Sequence, residues 1–153
     1  LGLKFGVLLF IREMIPQIEM NVRNHGLDAR CAGIRHVGFS SQEVIPNEGL
    51  SPRILDIFHE RARQLIADGA DVIIPGEAPL SIHLARAGIN RVDDVPVLDG
   101  VAATLKAAEV MVDLKRQLGV SRSTRGYYQA MPPRDRVKEL ARLYGVAGLF
   151  DGA

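Results

Sequence analysis

Residues 67–81 read Ala-Asp-Gly-Ala-Asp-Val-Ile-Ile-Pro-Gly-Glu-Ala-Pro-Leu-Ser, and this stretch decides the fold. Its Asp-Gly pair at 68–69 is typical of a helix end, because glycine adopts the left-handed conformation found there. The apolar run at 72–74 has no polar alternation, as in a parallel strand covered on both faces. Pro75-Gly76 ends the strand in a tight turn. The pattern therefore places Glu77 at the carboxyl end of a central parallel strand, where open α/β sheets bind ligands.

Short apolar strands alternate with amphipathic helices along the rest of the chain. The order is β-α-β-α-β-α-β-α with a trailing helix, which predicts an α/β fold with a doubly wound parallel sheet of about four strands. The predicted strands lie at 3–10, 27–37, 71–74 and 89–97. The longest predicted helix covers 100–118 and carries an apolar stripe that we expect to be buried. The stripe consists of Val101, Leu105, Ala108 and Val112.

Length and composition describe a globular chain without an evident charged surface for a partner. The 153 residues are 47% apolar and 24% charged, and the net charge is +1. We therefore expect no nucleic-acid or membrane surface. Cys31 is the only cysteine, which excludes an intrachain disulfide and favours a reducing cytoplasm. Because the chain starts at leucine and leads directly into a core strand, we expect a fragment, a processed product or a trimmed polypeptide rather than a signal peptide.

Glu77 is the strongest functional candidate, and two interpretations of it remain open. It is either a surface carboxylate at a helix start, where the helix dipole favours a negative charge, or a general acid/base. In the second case partial burial raises the pKa of its side chain into a useful range. Its position at the sheet rim is compatible with both.

The other candidates near this rim each have a simple structural alternative. Ser81 is expected in the first turn of a helix, Asp99 is expected to cap helix 100–118, and Arg12 is either solvated or paired with a substrate carboxylate. Cys31 is expected to pack as a small apolar residue within a strand. The four histidines show no metal-ligand spacing: His25 and His36 look peripheral, and His59 and His83 look exposed on helices. With no phosphate-binding glycine loop either, we predict neither metal nor cofactor.

Two motifs resemble the aspartate/glutamate/hydantoin racemase superfamily, in particular its carboxyl-terminal half. The first is Asp-Gly-Ala-Asp-Val-Ile-Ile-Pro-Gly at 68–76, and the second is Pro-Val-Leu-Asp-Gly-Val at 96–101. Ala108-Glu109 and the opening strand followed by Ile-Pro-Gln-Ile-Glu at 15–19 add to the likeness. It covers most of the chain and is specific for the superfamily rather than for one substrate.

The resemblance implies one Rossmann-like or flavodoxin-like half of a two-domain, cofactor-independent enzyme with its active site between the halves. In such enzymes each half offers a cysteine thiolate, one on either face of the α-carbon of the substrate. Glu77 stands where the second cysteine belongs, as in a branch of unsettled activity. The half with the first cysteine is missing here, and Cys31 lies in the wrong strand to replace it. Residues 1–119 then form the second racemase domain, and the basic, aromatic connection and helix at 120–153 pack back on the missing first domain.

These observations predict a racemase- or isomerase-like enzyme domain, or a decarboxylase-like one, that acts by proton transfer at the carbon α to a carboxylate or amide carbonyl. Glu77 is the predicted acid/base. The predicted substrate-binding residues are Gly76, Ala78, Ser81, Asp99 and Arg12. The expected partners are a small carboxylate or hydantoin-type substrate, and either another copy of the chain or the missing first domain. The alternative is a catalytically silent module that binds a small carboxylate or a protein.

Overall fold

A computed structural model describes residues 2–44, 49–126, 129–130, 132–146 and 148. The strands are β1 (Phe5–Leu9), β2 (Cys31–His36), β3 (Val72–Pro75), β4 (Arg91–Val92) and β5 (Val95–Pro96). The helices are α1 (Ile15–Asn24), α2 (Ser41–Val44), α3 (Pro52–Ala67), α4 (Ala78–Arg86), α5 (Gly100–Leu118) and α6 (Arg134–Leu143). Short 3-10 helices cover Arg12–Met14 and Asp28–Arg30.

The principal sheet is parallel and has the strand order β2-β1-β3. The chain leaves β1 toward β2 on one side and later reaches β3 on the other, so right-handed crossovers place helices on both faces of the sheet. The predicted parallel α/β fold is confirmed. β1, not β3, is the middle strand of the three, because β1 pairs with both of the others.

The predicted fourth strand at 89–97 is present only in part. The described residues there form the antiparallel pair β4–β5, and Val97 adds a single parallel bridge to Ile73 of β3. The amide of Leu98 also donates to the Ile73 carbonyl, at 2.8 Å. The sheet thus has three full strands, and β3 is flanked on its outer side by residues 97–98. Pro96, in the middle of the segment's second half, lacks a backbone N–H and so limits the donors available to a longer ladder.

Helix α3 packs across all three strands of the sheet and builds the core. A Cβ atom on Gly6 of β1 would lie 2.9 Å from the Cβ of Leu65, and one on Gly33 of β2 would lie 3.0 Å from Leu65 Cδ2. The two glycines therefore admit the Leu65 side chain close to the sheet. Ser51 caps α3, as its position before a proline indicates, and its Oγ accepts from the Ile54 amide at 3.3 Å. The fully enclosed core side chains include Leu8, Phe58, Leu65, Ile73, Leu80 and Leu84.

Two features differ from the sequence-based expectation on helices α4 and α5. His83 of α4 is buried, although its helical position favoured exposure. The apolar stripe of α5 is not buried: the helix has no buried residue, and Leu105 is 61% exposed. Periodicity reports that a helix has an apolar face, and it does not report what covers that face.

The chain forms two compact units, residues 1–110 and 111–153, and α5 contains the boundary between them. Helix α6 lies within the second unit, and its bounds are close to those predicted for the trailing helix. Its Ala141 is buried. Tyr127 and Tyr128 of the predicted basic, aromatic connection lie outside the described residues. Packing of residues 120–153 on another domain stays a prediction.

Asp71, just before β3, holds the amino-terminal end of β1. Its carboxylate accepts from the amides of Leu3 at 2.7 Å and Lys4 at 2.8 Å. These bonds, that from Leu3 first, lower the pKa of the Asp71 side chain. A lowered pKa means that the carboxylate stabilises the fold fully above its unfolded-state pKa and loses this contribution as the pH falls through the folded pKa.

Asp71→Asn is therefore expected to lower the melting temperature at neutral pH and to differ less from the wild type in strong acid. Thermal unfolding between neutral pH and about pH 2, below the ordinary Asp pKa of about 3.9, measures this convergence. Asp113→Asn, on the exposed side of α5, is the matched control and should change neither value. A constant difference at every pH would contradict the role given to the Asp71 charge.

Candidate active site

The carboxyl ends of the three strands meet at one edge of the sheet. The register pairs Leu9 of β1 with His36 of β2 and Leu8 with Pro75 of β3. The chain passes from β1 to β2 on one side of β1, and then from β2 to β3 on the other side of β1. The gap between β1 and β3 is therefore the switch point at which open α/β sheets bind ligands. Glu77 follows β3 at this gap.

Glu77 is the N-cap residue of α4, but its side chain does not cap that helix. The carboxylate turns instead toward the loop after β1. Oε1 accepts from the Ile11 amide at 3.1 Å, and Oε2 accepts from the Phe10 amide at 3.3 Å. The residue is only 8% exposed. Glu77 therefore joins the ends of β1 and β3, a contact between residues far apart in sequence.

Burial raises the pKa of the Glu77 side chain, and the amide hydrogen bonds from Ile11 and Phe10 act in the opposite direction. The net direction is upward, toward the range in which a carboxyl group exchanges protons near neutral pH. Each carboxylate oxygen has more than one lone pair. One amide bond per oxygen thus leaves capacity to accept a proton or a further hydrogen bond.

Gly76 allows the close approach of this turn to β1. Its amide donates to the Leu8 carbonyl at 2.8 Å, and a Cβ atom there would overlap the Leu9 side chain. The Gly76 amide is thus occupied by a sheet hydrogen bond. Ala78, by contrast, is the first residue of α4, where a backbone amide has no acceptor within the helix.

A groove of about 410 Å³ opens beside Glu77. The end of β3 and the start of α4 form one side, and the first turns of α5 form the other. The lining residues are Pro75, Gly76, Glu77, Ala78, Ser81, Gly100, Val101, Thr104 and Leu105. Glu77, Gly76, Ala78 and Ser81, all predicted from the sequence, thus come together in one groove.

Asp99 lies next to this groove and caps α5, as its position predicts. Its Oδ1 accepts from the amides of Val101 and Ala102, each at 3.0 Å, and from the Ser81 hydroxyl at 3.1 Å. Asp99 lines a second, smaller cavity of about 200 Å³, and Ser81 lines both cavities. The Ser81–Asp99 pair thereby fixes the start of α5 relative to α4.

Asp99→Ala should reduce the free energy of unfolding by about 1–2 kcal/mol, since it removes an N-cap and the acceptor of the Ser81 hydroxyl. Asp99→Asn keeps an acceptor oxygen and should cost only a fraction of this. Urea unfolding of the two variants beside the wild type measures the difference. Equal losses in both variants would mean that the charge, and not the cap, matters at this position.

Arg12 is at the same edge of the sheet but on the other side of β1. Its Nη2 lies 3.4 Å from His36 Nδ1, and Arg12 does not line the groove beside Glu77. Cys31 is at the opposite edge, where β2 begins opposite Phe5. Its position in a strand is as predicted, and burial raises the pKa of its thiol. Neither residue is brought to Glu77.

His36 is the residue at this edge that sequence reasoning missed. It ends β2 and contacts the backbone of the loop after β1. Its position at a strand's carboxyl end was the available signal, but nothing in the sequence connects it to Glu77.

Among the described residues, no group of three or more His, Cys, Asp or Glu side chains is arranged to hold a metal ion. Among the same residues, none of the helices has the length and apolar character to cross a membrane.

Both the sequence and the fold of this chain are similar to those of racemases. The family model described as Asp/Glu/Hydantoin racemase matches residues 1–108. A hydantoin racemase of Rhizobium meliloti is 28% identical over 109 residues, which are 71% of this chain and 44% of that protein.

Two solved structures have the same fold. Allantoin racemase from Klebsiella pneumoniae aligns with a TM-score of 0.67 at 26% identity, covering 86% of this chain and 50% of its own. Allantoin racemase from Pseudomonas fluorescens aligns with a TM-score of 0.67 at 29% identity, covering 87% and 53%. The chain thus spans about half the length of these relatives. With a family match over most of its length, this chain belongs to the Asp/Glu/hydantoin racemase family.

Proposed function

We propose that this chain is a cofactor-independent racemase- or isomerase-like domain that transfers a proton at the carbon α to a carboxylate or amide carbonyl. The observation that carries the proposal is the buried carboxylate of Glu77, a residue that lines the groove between the end of β3, the start of α4 and the first turns of α5. Racemases named for hydantoin and allantoin, among the similar proteins, support an amino acid, hydantoin or related acid as substrate.

In the proposed reaction, a Glu77 carboxylate oxygen takes the α-proton. The electron pair of the broken C–H bond moves toward the adjacent carbonyl and gives an enolate, and the protonated Glu77 then returns a proton to the carbon. We assign the substrate carboxylate or the developing enolate oxygen to the Ala78 amide and to the Ser81 hydroxyl, whose one hydrogen must turn from Asp99 to the substrate for this. Asp99 acts next to them by holding Ser81. Arg12 and the Gly76 amide are weaker candidates, because Arg12 does not line the groove and the Gly76 amide is held in the sheet by the Leu8 carbonyl.

A single acid/base on one face exchanges the α-proton, whereas inversion needs a second group on the opposite face. We assign that group to a further domain of the longer protein or to another copy of the chain. Exposed apolar side chains on α5, with Leu105 at the groove itself, favour such a covering partner. The choice of this covering partner is part of the proposal. So is a location in the cytoplasm, which the single cysteine favours.

A second candidate function is a catalytically silent module that binds a small carboxylate or a protein. One observation favours it: both Glu77 oxygens accept main-chain hydrogen bonds, which is what a purely structural carboxylate would do. A silent domain would need no ionisable residue at position 77, where the resemblance implies a cysteine, and an apolar residue would serve there equally well. The presence of an ionisable residue at a position that lines the groove favours the enzyme.

Exchange of the α-proton with deuterium in heavy water, followed by NMR, tests the proposal. The longest natural polypeptide that contains these residues should be given amino acids, hydantoins and substituted malonates. Exchange above the protein-free rate would establish proton transfer and identify the substrate class. A folded protein that exchanges none of them would favour the silent module.

A further inference from the structure

The peptide unit between Phe10 and Ile11 is held at both ends by side chains from other strands. Its N–H donates to Glu77 Oε1 at 3.1 Å, and its carbonyl oxygen lies 3.1 Å from His36 Nε2. The three groups form a continuous hydrogen-bonded chain across the carboxyl edge of the sheet, from His36 at the end of β2 to Glu77, two residues after β3.

The surroundings of His36 assign its tautomer. Nδ1 faces the Gly38 amide at 3.0 Å and Arg12 Nη2 at 3.4 Å, and both of these groups are donors. Nδ1 is therefore the acceptor nitrogen of a neutral imidazole. Nε2 then carries the proton and donates it to the Phe10 carbonyl. A charged imidazolium could not accept from Gly38 and would face the Arg12 guanidinium.

The carbonyl and the N–H belong to one planar group, so a hydrogen bond at one end fixes the orientation of the other. A donor on the carbonyl oxygen also polarises the amide and strengthens the bond that its N–H donates. From this geometry we infer that His36 is a positioning residue for Glu77, acting through the Phe10–Ile11 peptide. The inference deepens the proposed function, since positioning matters for catalysis only if Glu77 is the acid/base.

Two substitutions of His36 separate the two ring nitrogens. In His36→Gln, the side-chain amide nitrogen can reach the place of Nε2 and still donate to the Phe10 carbonyl. In His36→Asn, the side-chain oxygen can replace Nδ1 as the acceptor for Gly38, but no donor reaches Phe10. Neither variant has an imidazole that titrates, so the two can be compared with each other across the pH range. The fixed charges near the site, Arg12 and Arg61 beside Gly38, are the same in both.

The experiment is an NMR titration of the Glu77 carboxyl group in the two variants, together with the amide proton shift of Ile11. We expect His36→Asn to weaken the Ile11–Glu77 bond, which moves the Ile11 proton upfield. It should also raise the pKa of Glu77, because that bond favours the charged form. His36→Gln should remain close to the wild type in the Ile11 shift.

Matching Glu77 titrations and Ile11 shifts in the two folded variants would overturn the inference, even if both lost stability. Amide spectra of both variants establish that they are folded. These readouts do not depend on turnover, so a protein that exchanges no α-proton would refute the proposed function and leave the link from His36 to Glu77 standing.

Discussion

Glu77→Gln is expected to slow α-proton exchange by a factor of about 10² to 10⁴, the usual contribution of a positioned acid/base. Glutamine keeps the shape of the side chain but cannot accept the proton at neutral pH. Substrate binding should persist, because the Ala78 amide and Ser81, both lining the groove, are unchanged. Initial rates of deuterium incorporation and substrate titration by NMR separate the two quantities.

The same substitution has a structural cost that must be measured alongside. One of the two main-chain donors, from Phe10 or Ile11, would face the glutamine NH₂ instead of an acceptor. An unsatisfied buried donor costs about 1–3 kcal/mol, so a lower midpoint of unfolding is expected. Leu80→Ala is the control. Leu80 is a fully buried residue of α4, so its truncation leaves a cavity that lowers stability while the Glu77 carboxylate is kept. Exchange lost to the same degree in both variants would attribute the effect to destabilisation, and full exchange in Glu77→Gln would exclude Glu77 as the acid/base.

Local sequence signals were sufficient for most elements of the fold. The Ser51 cap and the Asp99 cap each depend on backbone amides within three residues of the signal. Such short-range chemistry is largely independent of tertiary context. The same holds for the apolar strands β1 and β3, whose composition indicates burial on both faces.

The contacts that define the site are of another kind. Glu77 is bonded to amides 66 and 67 positions earlier in the chain, and only the strand order β2-β1-β3 brings them together. The sequence placed Glu77 at the rim but could not distinguish a solvated carboxylate from a buried one. The exposure of the α5 face was missed for a related reason, since a local pattern indicates an apolar face but not whether other parts of the chain cover it.

The interpretation of Glu77 as acid/base and its role in joining β1 to β3 are compatible. The main-chain bonds fix the carboxylate at the groove and hold its pKa below the value that burial alone would give. A catalytic group needs a fixed geometry, and for Glu77 the backbone of the loop after β1 supplies that geometry. In the silent module the same carboxylate would serve only as the acceptor of these two hydrogen bonds.

Phe58→Ala is expected to have the largest effect on stability, a loss of about 3–5 kcal/mol in the free energy of unfolding. Phe58 lies on α3 and is 0% exposed, in the same core as Leu8 of β1 and Ile73 of β3. Truncation removes the transfer free energy of the ring and leaves a cavity against the sheet. Its edge-to-face contact with His59, with ring centroids 5.9 Å apart, is lost as well.

Urea unfolding measures this loss, and Phe58→Leu is the matched control. Leucine restores most of the apolar volume and should cost clearly less than alanine. An ordinary domain has a total stability of about 5–15 kcal/mol, so the alanine variant would be near the limit of folding. The slope of the unfolding free energy against urea concentration should stay unchanged if the unfolded state is unaffected. Because α3 packs against the sheet that carries Glu77, the surviving folded fraction should retain its groove. A loss below about 1 kcal/mol, far under the range for truncating an enclosed ring, would mean that α3 is not packed on β1 and β3 as described, and the placement of Glu77 between those strands would have to be reconsidered with it.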